Sequence, residues 1–206
     1  MLNGLYVLTD NRVYPHEQWP NQVERAILGG ASLIQLREKK MPDEKLLLIA
    51  LSIQEICKSY NIPLIINDRI SLARKVKADG VHIGKSDTPL NEVRTYLGNN
   101  YIIGVSCYSN LISAMKLEAL GADYAAFGSI FPSNTKKTAP RCALSTLKQA
   151  TKLLDIPVCA IGGIDTKNVS HIIKNTVPLI AVSDSVFNAN DPKSAANKIY
   201  QQVIIR

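Results

Sequence analysis

Gln35, Arg37 and Lys39 recur at every second position of Leu33-Ile34-Gln35-Leu36-Arg37-Glu38-Lys39. The stretch begins apolar and ends charged. Side chains alternate across a strand, so an amide and two cations share one face. Leu36 and Glu38 share the other, where Glu38 is expected to pair outward. Such a comb suits an anionic ligand that also makes hydrogen bonds. A strand running out into a solvated loop would carry the same residues, so composition alone leaves both readings open.

Other chemistry-bearing groups follow apolar runs in the same way. Asn67-Asp68-Arg69 comes after one run and Gly84-Lys85-Ser86-Asp87 after the next. Neighbouring parallel strands lie about 4.8 Å apart, so Asp68 and Asp87 can converge. Two carboxylates suit Mg²⁺, which keeps several waters and takes phosphate oxygens from its substrate. Each aspartate is also a good cap for the helix expected after it. Phe131-Pro132-Ser133-Asn134-Thr135-Lys136-Lys137 opens a long polar loop that reaches Pro140-Arg141. Its hydroxyls, amides and lysine suit a phosphate grip, or simply a surface loop. Gly162-Gly163-Ile164 and Val182-Ser183-Asp184-Ser185 follow two later runs, and glycine there would let backbone amides approach a phosphate. Ser106, in Gly104-Val105-Ser106-Cys107-Tyr108, has no His or acid placed to activate it, so hydrogen bonding to a ligand is the better role. His16, His82 and His171 carry no motif and read as structural or surface residues. Tyr14 and Trp19, between the first strand and helix, could cover a ring but read better as core packing.

These groups need a scaffold that brings loop after loop to one place. Short apolar runs predict strands over Leu5–Thr9, Leu33–Leu36, Leu64–Asn67, Gly80–Ile83, Ile102–Val105, Tyr124–Phe127, Val158–Ile161 and Leu179–Val182. Helical stripes lie between them: Trp19, Val23, Ala26 and Ile27; Leu46, Ile49, Ala50, Ile53 and Cys57; and, closing the chain, Ala196, Ile199, Tyr200 and Val203. Pro42-Asp43-Glu44 and Asp191-Pro192 mark helix starts, while Gly29-Gly30 and Gly121 mark helix ends. This alternation predicts a closed (β/α)8 TIM barrel forming a single domain over residues 1–206. An open doubly wound sheet fits less well, because Thr9-Asp10-Asn11-Arg12 lacks the glycine fingerprint expected after a first strand. Ligands of a parallel barrel sit at the C-terminal ends of its strands, where all the groups above fall.

Composition narrows the function classes. The chain has 206 residues, 46% hydrophobic and 20% charged, ordinary for a globular protein. No apolar run reaches the roughly 18 residues of a membrane helix, and Met1-Leu2-Asn3-Gly4 lacks the basic start of a secretory leader. The expected compartment is cytoplasmic. Cys57, Cys107, Cys142 and Cys159 have neither CxxC spacing nor a histidine at metal-ligand spacing, which argues against disulfides and zinc. The net charge of +7 is spread along the chain with only 6% aromatic residues, which argues against nucleic acid and suits phosphorylated small molecules. A homo-oligomer stays open.

Taken in order, Gln35-Leu36-Arg37-Glu38-Lys39, Asn67-Asp68, Asp87, Ser106, Phe131-Pro132 with Ser133-Asn134-Thr135-Lys136, Gly162-Gly163-Ile164 and Val182-Ser183 resemble the thiamine-phosphate synthase family, from about residue 5 onward. The resemblance implies a (β/α)8 barrel that condenses 4-amino-2-methyl-5-hydroxymethylpyrimidine diphosphate with 4-methyl-5-(2-phosphoethyl)thiazole, or its carboxylated form. The products would be thiamine phosphate and diphosphate. It further implies that Gln35, Arg37, Lys39, Asn67, Ser106 and Lys136 bind the pyrimidine diphosphate, with Arg37, Lys39, Ser106 and Lys136 as the catalytic set. Asp68 and Asp87 would hold one Mg²⁺. Ser133, Asn134, Thr135, Gly163, Val182 and Ser183 would bind the thiazole phosphate. Lys85-Ser86, Asp184 and Asn175-Thr176-Val177-Pro178 depart from the family's usual pattern.

The sister family of thiazole tautomerases shares the comb but carries a histidine two residues past the serine, where this chain has Tyr108. A non-enzymatic, RNA-binding or regulatory barrel is the more distant alternative.

Overall fold

A computed structural model describes residues 2–133, 140–175 and 177–204. Eight parallel strands close into a barrel in sequence order. They are β1 (Gly4–Leu8), β2 (Ala31–Leu36), β3 (Leu64–Asn67), β4 (Gly80–Ile83), β5 (Ile102–Tyr108), β6 (Tyr124–Phe127), β7 (Val158–Ile161) and β8 (Leu179–Val182). Pairing of Val7 with Val182 closes the ring between β1 and β8. Around it lie α1 (Trp19–Leu28), α2 (Asp43–Ser59), α3 (Ile70–Val76), α4 (Leu90–Leu97), α5 (Leu111–Ala119), α6 (Leu144–Leu153), α7 (Val169–Ile173), α8 (Asp184–Phe187) and α9 (Pro192–Ile204).

The two-residue repeat of the strands produces two separate apolar layers. Inward-facing Tyr6, Leu33, Ile65, Tyr124, Cys159 and Leu179 fill the barrel floor. Outward-facing Leu5, Ile34, Ile66, Val81, Phe127 and Ile180 meet the helices' apolar stripes. In α1 that stripe is Trp19, Val23, Ala26 and Ile27, all buried. Trp19 donates to the Tyr14 carbonyl at 3.2 Å and packs edge-on against Phe187. Truncating so large a fully buried ring costs roughly 3–5 kcal/mol. Tyr14 and Trp19 therefore serve the core, as their positions suggest.

Carboxylates at the N-terminal rim tie the strands together. Asp79 accepts the Leu64 N–H at 2.8 Å, and Asp123 accepts the Ile103 N–H and the Arg94 guanidinium, each at 2.7 Å. Carboxylates at this end of a parallel barrel act on stability, which leaves the opposite rim for ligands.

Three strands differ in extent from the sequence reading. β1 starts and ends one residue earlier, and β2 starts at Ala31. β5 runs on to Tyr108, so Ser106 lies inside the strand rather than after it, next to a register shift against β6. Gly162-Gly163 does not lead directly into a helix, because a turn separates it from α7. Among the described residues, no helix is long and apolar enough to cross a membrane.

Candidate active site

At the C-terminal mouth of the barrel lies a cavity of about 510 Å³. Gln35, Arg37, Lys39, Asn67, Asp68, Asp87, Ser106, Ser133, Gly163, Val182 and Ser183 all line it. Asn134, Thr135 and Lys136 lie outside the described residues.

The comb keeps the alternation read from its sequence. Gln35, Arg37 and Lys39 face the cavity, and Leu36 packs into the outer layer. Thr9 clamps the backbone at Arg37, its hydroxyl accepting the Arg37 N–H at 2.8 Å and donating to the Arg37 carbonyl at 3.2 Å. The Arg37 guanidinium makes no ion pair among the described residues, while Lys39 Nζ lies 3.0 Å from Asp68 Oδ2.

Glu38 faces away from the cavity but does not pair outward into solvent. It is 4% exposed and folds into its own loop. It accepts from the Lys40 N–H at 2.6 Å, the Met41 N–H at 3.2 Å, Asn11 Nδ2 at 2.9 Å and His16 Nε2 at 2.8 Å. Burial works to raise its pKa; His16, the two amides and Asn11 outweigh that and bring it down to about 2. Arg69 closes the loop from below, donating to the Glu38 carbonyl at 2.8 Å and pairing with Asp43. The turn that carries Arg37 and Lys39 is thus built around a buried anion.

Asp68 and Asp87 do not act as helix caps. The N-terminus of α3 has no side-chain cap, and Asp68 sits at φ +61°, a left-handed conformation that Asp tolerates better than most residues. Asp87 reaches back instead, its Oδ2 accepting the Gly84 N–H at 2.6 Å. The adjacent Asn67 is 7% exposed, and its side-chain N–H group, fully shielded, has no hydrogen-bond partner among the described residues. A buried donor without a partner is costly, so this one is available to an acceptor brought into the cavity. Among the described residues, no group of three or more His, Cys, Asp and Glu gathers as a metal site. Two lone carboxylates on adjacent loops fit a hard cation that takes its remaining oxygens from water and phosphate.

On the β6 to β8 side the lining is mostly small, with Ala126, Gly128, Ser133, Gly163 and Ala181, and its charged members are the acids Asp165 and Asp184. Gly163 has φ +61°, and a Cβ there would come within 2.2 Å of the Pro132 carbonyl oxygen, so only glycine lets the two loops touch. The Ser183 hydroxyl donates to Asp10 Oδ2 at 3.2 Å. Arg12 bridges Asp10 at 2.6 Å and Asp184 at 2.9 Å. Burial of Asp10 is outweighed by the Arg12 guanidinium and N–H, which hold its carboxyl below the usual range. The acid that Asp184 adds to this rim is therefore met by a cation. Lys85 is exposed and does not line the cavity.

His82 is a buried, hydrogen-bonded residue of the barrel interior, as a structural role requires, and it also faces the site. It lines the cavity, its Nε2 lying 2.8 Å from Ser106 Oγ and its Nδ1 3.0 Å from the Tyr124 hydroxyl. Tyr6 also lines the cavity, and Tyr124 lies in the inner cluster beside it; neither stands in a sequence motif. Strand parity was the available signal, because His82 and Tyr6 occupy inward positions.

The chain matches the thiamine monophosphate synthase family over residues 5–186. It is 43% identical to the thiamine-phosphate synthase of Methylococcus capsulatus, over 95% of this chain and 87% of that one. It is 41% identical to the one from Nitrosococcus oceani, over 95% and 90%. The solved thiamine phosphate pyrophosphorylase of Pyrococcus furiosus superposes with a TM-score of 0.90 at 35% identity, covering 98% of this chain and 96% of that chain. A shared barrel is common to many chemistries, but identity of this extent along the whole strand-and-loop order is not. This chain belongs to the thiamine-phosphate synthase family of transferases.

Proposed function

We propose that residues 1–206 act as one catalytic domain that joins 4-amino-2-methyl-5-hydroxymethylpyrimidine diphosphate to 4-methyl-5-(2-phosphoethyl)thiazole, or its 2-carboxy form, releasing thiamine phosphate and diphosphate in the cytoplasm. The observation that carries this reading is the division of one cavity into two halves. Both Arg37 and Lys39, the cations among the described lining residues, stand with Asp68 and Asp87 on the β2 to β4 side, whereas the β6 to β8 side combines small residues with the acids Asp165 and Asp184.

Gln35, Asn67 and Ser106 bind and orient the aminopyrimidine diphosphate, and the unpartnered Asn67 amide supports such a role. Arg37 and Lys39, with Lys136, hold the diphosphate. Ser133, Asn134, Thr135, Gly163, Val182 and Ser183 hold the phosphate of the thiazole. Asp68 and Asp87 would hold one Mg²⁺, which when bound neutralises charge on the departing diphosphate. Diphosphate leaves once its developing charge is met, and fixed cations aimed at it supply that more effectively than water does. The reaction is dissociative: the C–O bond breaks, the aminopyrimidine stabilises the methylene cation, and the thiazole nitrogen supplies the electron pair of the new C–N bond. No protein nucleophile is required, in keeping with a Ser106 whose partner His82 meets the Tyr124 hydroxyl at its other ring nitrogen. What the chain must supply is placement of two substrates and exclusion of water.

The test is to mix the purified protein with both substrates and Mg²⁺ and measure thiamine phosphate and diphosphate. Equimolar, Mg²⁺-dependent formation of both is expected. Absence of product, or isomerisation of the thiazole alone, overturns the proposal.

A further inference from the structure

A chain of hydrogen bonds crosses the barrel at the base of the cavity and joins Gln35 to Ser106; of its members only Tyr124 is not a lining residue. Gln35 Nε2 donates to the Tyr6 hydroxyl at 2.6 Å, and the Tyr6 and Tyr124 hydroxyls are 2.8 Å apart. The Tyr124 hydroxyl then meets His82 Nδ1 at 3.0 Å, and His82 Nε2 meets Ser106 Oγ at 2.8 Å. Five strands contribute one residue each, so no local segment could assemble this chain.

The chain has a direction. The Tyr6 oxygen already accepts from Gln35, and Tyr6 is 1% exposed. If Tyr124 donated to it as well, the Tyr6 proton would be buried without an acceptor. Tyr6 therefore donates to Tyr124, and Tyr124 donates to His82 Nδ1. A neutral imidazole that accepts at Nδ1 carries its proton on Nε2, which it donates to Ser106. Each hydroxyl along the way then donates once and accepts once. Burial raises both phenols far above their ordinary range, so both remain protonated donors. The ring of Tyr124 reaches this place because β5 has Gly104 beside it, where a Cβ would come within 1.9 Å of the ring.

We infer that Tyr6, Tyr124 and His82 are positioning residues whose directional relay makes Gln35 present its carbonyl oxygen, and Ser106 its hydroxyl proton, to the bound ligand. The ligand must then donate to Gln35 through an amino group and accept from Ser106 through an oxygen or a ring nitrogen. The relay acts as a specificity filter, rejecting rings in which an acceptor replaces the amino group. This deepens the proposed function and rests on it for the identity of the ligand.

The direction is read without turnover. In ¹⁵N spectra of the histidine-labelled protein, with His82 assigned by loss of its signal in His82→Asn, the neutral Nε2–H form is expected. The Nδ1–H form overturns the inference. The filter is read by kinetics on wild type, Tyr124→Phe and Tyr6→Phe, using the aminopyrimidine diphosphate and its 4-oxo counterpart. Each variant keeps its ring and loses only the hydroxyl link. Discrimination between the two substrates is expected to fall about tenfold or more in both variants, with KM for the thiazole phosphate unchanged. The double variant should lose little beyond either single one, since both break the same chain. A purely packing role would lower melting temperature while leaving discrimination as in wild type, and that result overturns the inference. A wild-type protein that forms no thiamine phosphate would instead defeat the proposed function, leaving the spectroscopic result to stand alone.

Discussion

Lys39 Nζ lies 3.0 Å from Asp68 Oδ2, so the last tooth of the cationic comb is held by a carboxylate from the next strand's loop. The lysine side chain is 51% exposed and the aspartate 25%, so the contact contributes less than about 1 kcal/mol to folding. Its consequence is for the site: a ligand phosphate competes for Lys39, and a cation competes for Asp68. Asp68→Ala is expected to abolish Mg²⁺-dependent turnover while the thermal midpoint stays within a few degrees of wild type. Rates across a Mg²⁺ titration, run beside a melting curve, decide it. Full activity in the variant would remove Asp68 from the metal assignment.

Arg37 faces the cavity without an ion pair among the described residues, on a backbone held by Thr9. Arg37→Ala should lower kcat/KM for the pyrimidine diphosphate by roughly 10²-fold or more, as should Lys136→Ala, if both meet charge on the leaving group. Arg37→Lys should recover only part of the loss, because an ammonium does not reproduce the planar fork of a guanidinium. Single-turnover rates with saturating thiazole phosphate separate this effect from binding.

Glu38 makes the comb's turn sensitive to acid. Its pKa falls from an unfolded value of 4.5 to about 2, which corresponds to about 3 kcal/mol of folding free energy. Because the folded value is the lower one, this stabilisation is complete above about pH 4.5 and disappears as pH drops toward 2. Glu38→Gln should be less stable than wild type at pH 6, and the gap should narrow below about pH 4.5 and close only as pH falls through about 2. Urea unfolding at a series of pH values measures it. A gap that stays constant with pH would mean that the carboxylate's charge is not what holds the turn.

Gly163 joins two loops on the β6 to β8 side of the cavity. Gly163→Ala forces a methyl group within 2.2 Å of the Pro132 carbonyl oxygen at a φ that alanine disfavours. A loss of about 2 kcal/mol or more in stability is expected. KM for the thiazole phosphate should rise while KM for the pyrimidine diphosphate changes little. Equal changes in both would place the effect in the barrel as a whole.

The sequence by itself determined the barrel and most of its mouth. Apolar runs with helical stripes between them are local patterns, and a strand's period of two commits each residue to one side. Gln35, Arg37 and Lys39 therefore reach the cavity together, as do the groups after the other strands, because parallel strands present their C-terminal ends at one rim. What the tertiary structure alone decided concerns partners distant in the chain. Ser106 and His82 are separated by 24 positions, and Tyr6 and Tyr124 by 118, so nothing local marks them as hydrogen-bonded. The fate of Glu38 followed the same logic. Its alternation sent it away from the cavity, but only the arrival of Asn11 and His16 from the preceding loop made that direction a buried anion site rather than solvent. Strand parity is a property of the backbone. The group a side chain meets depends on where other segments have packed.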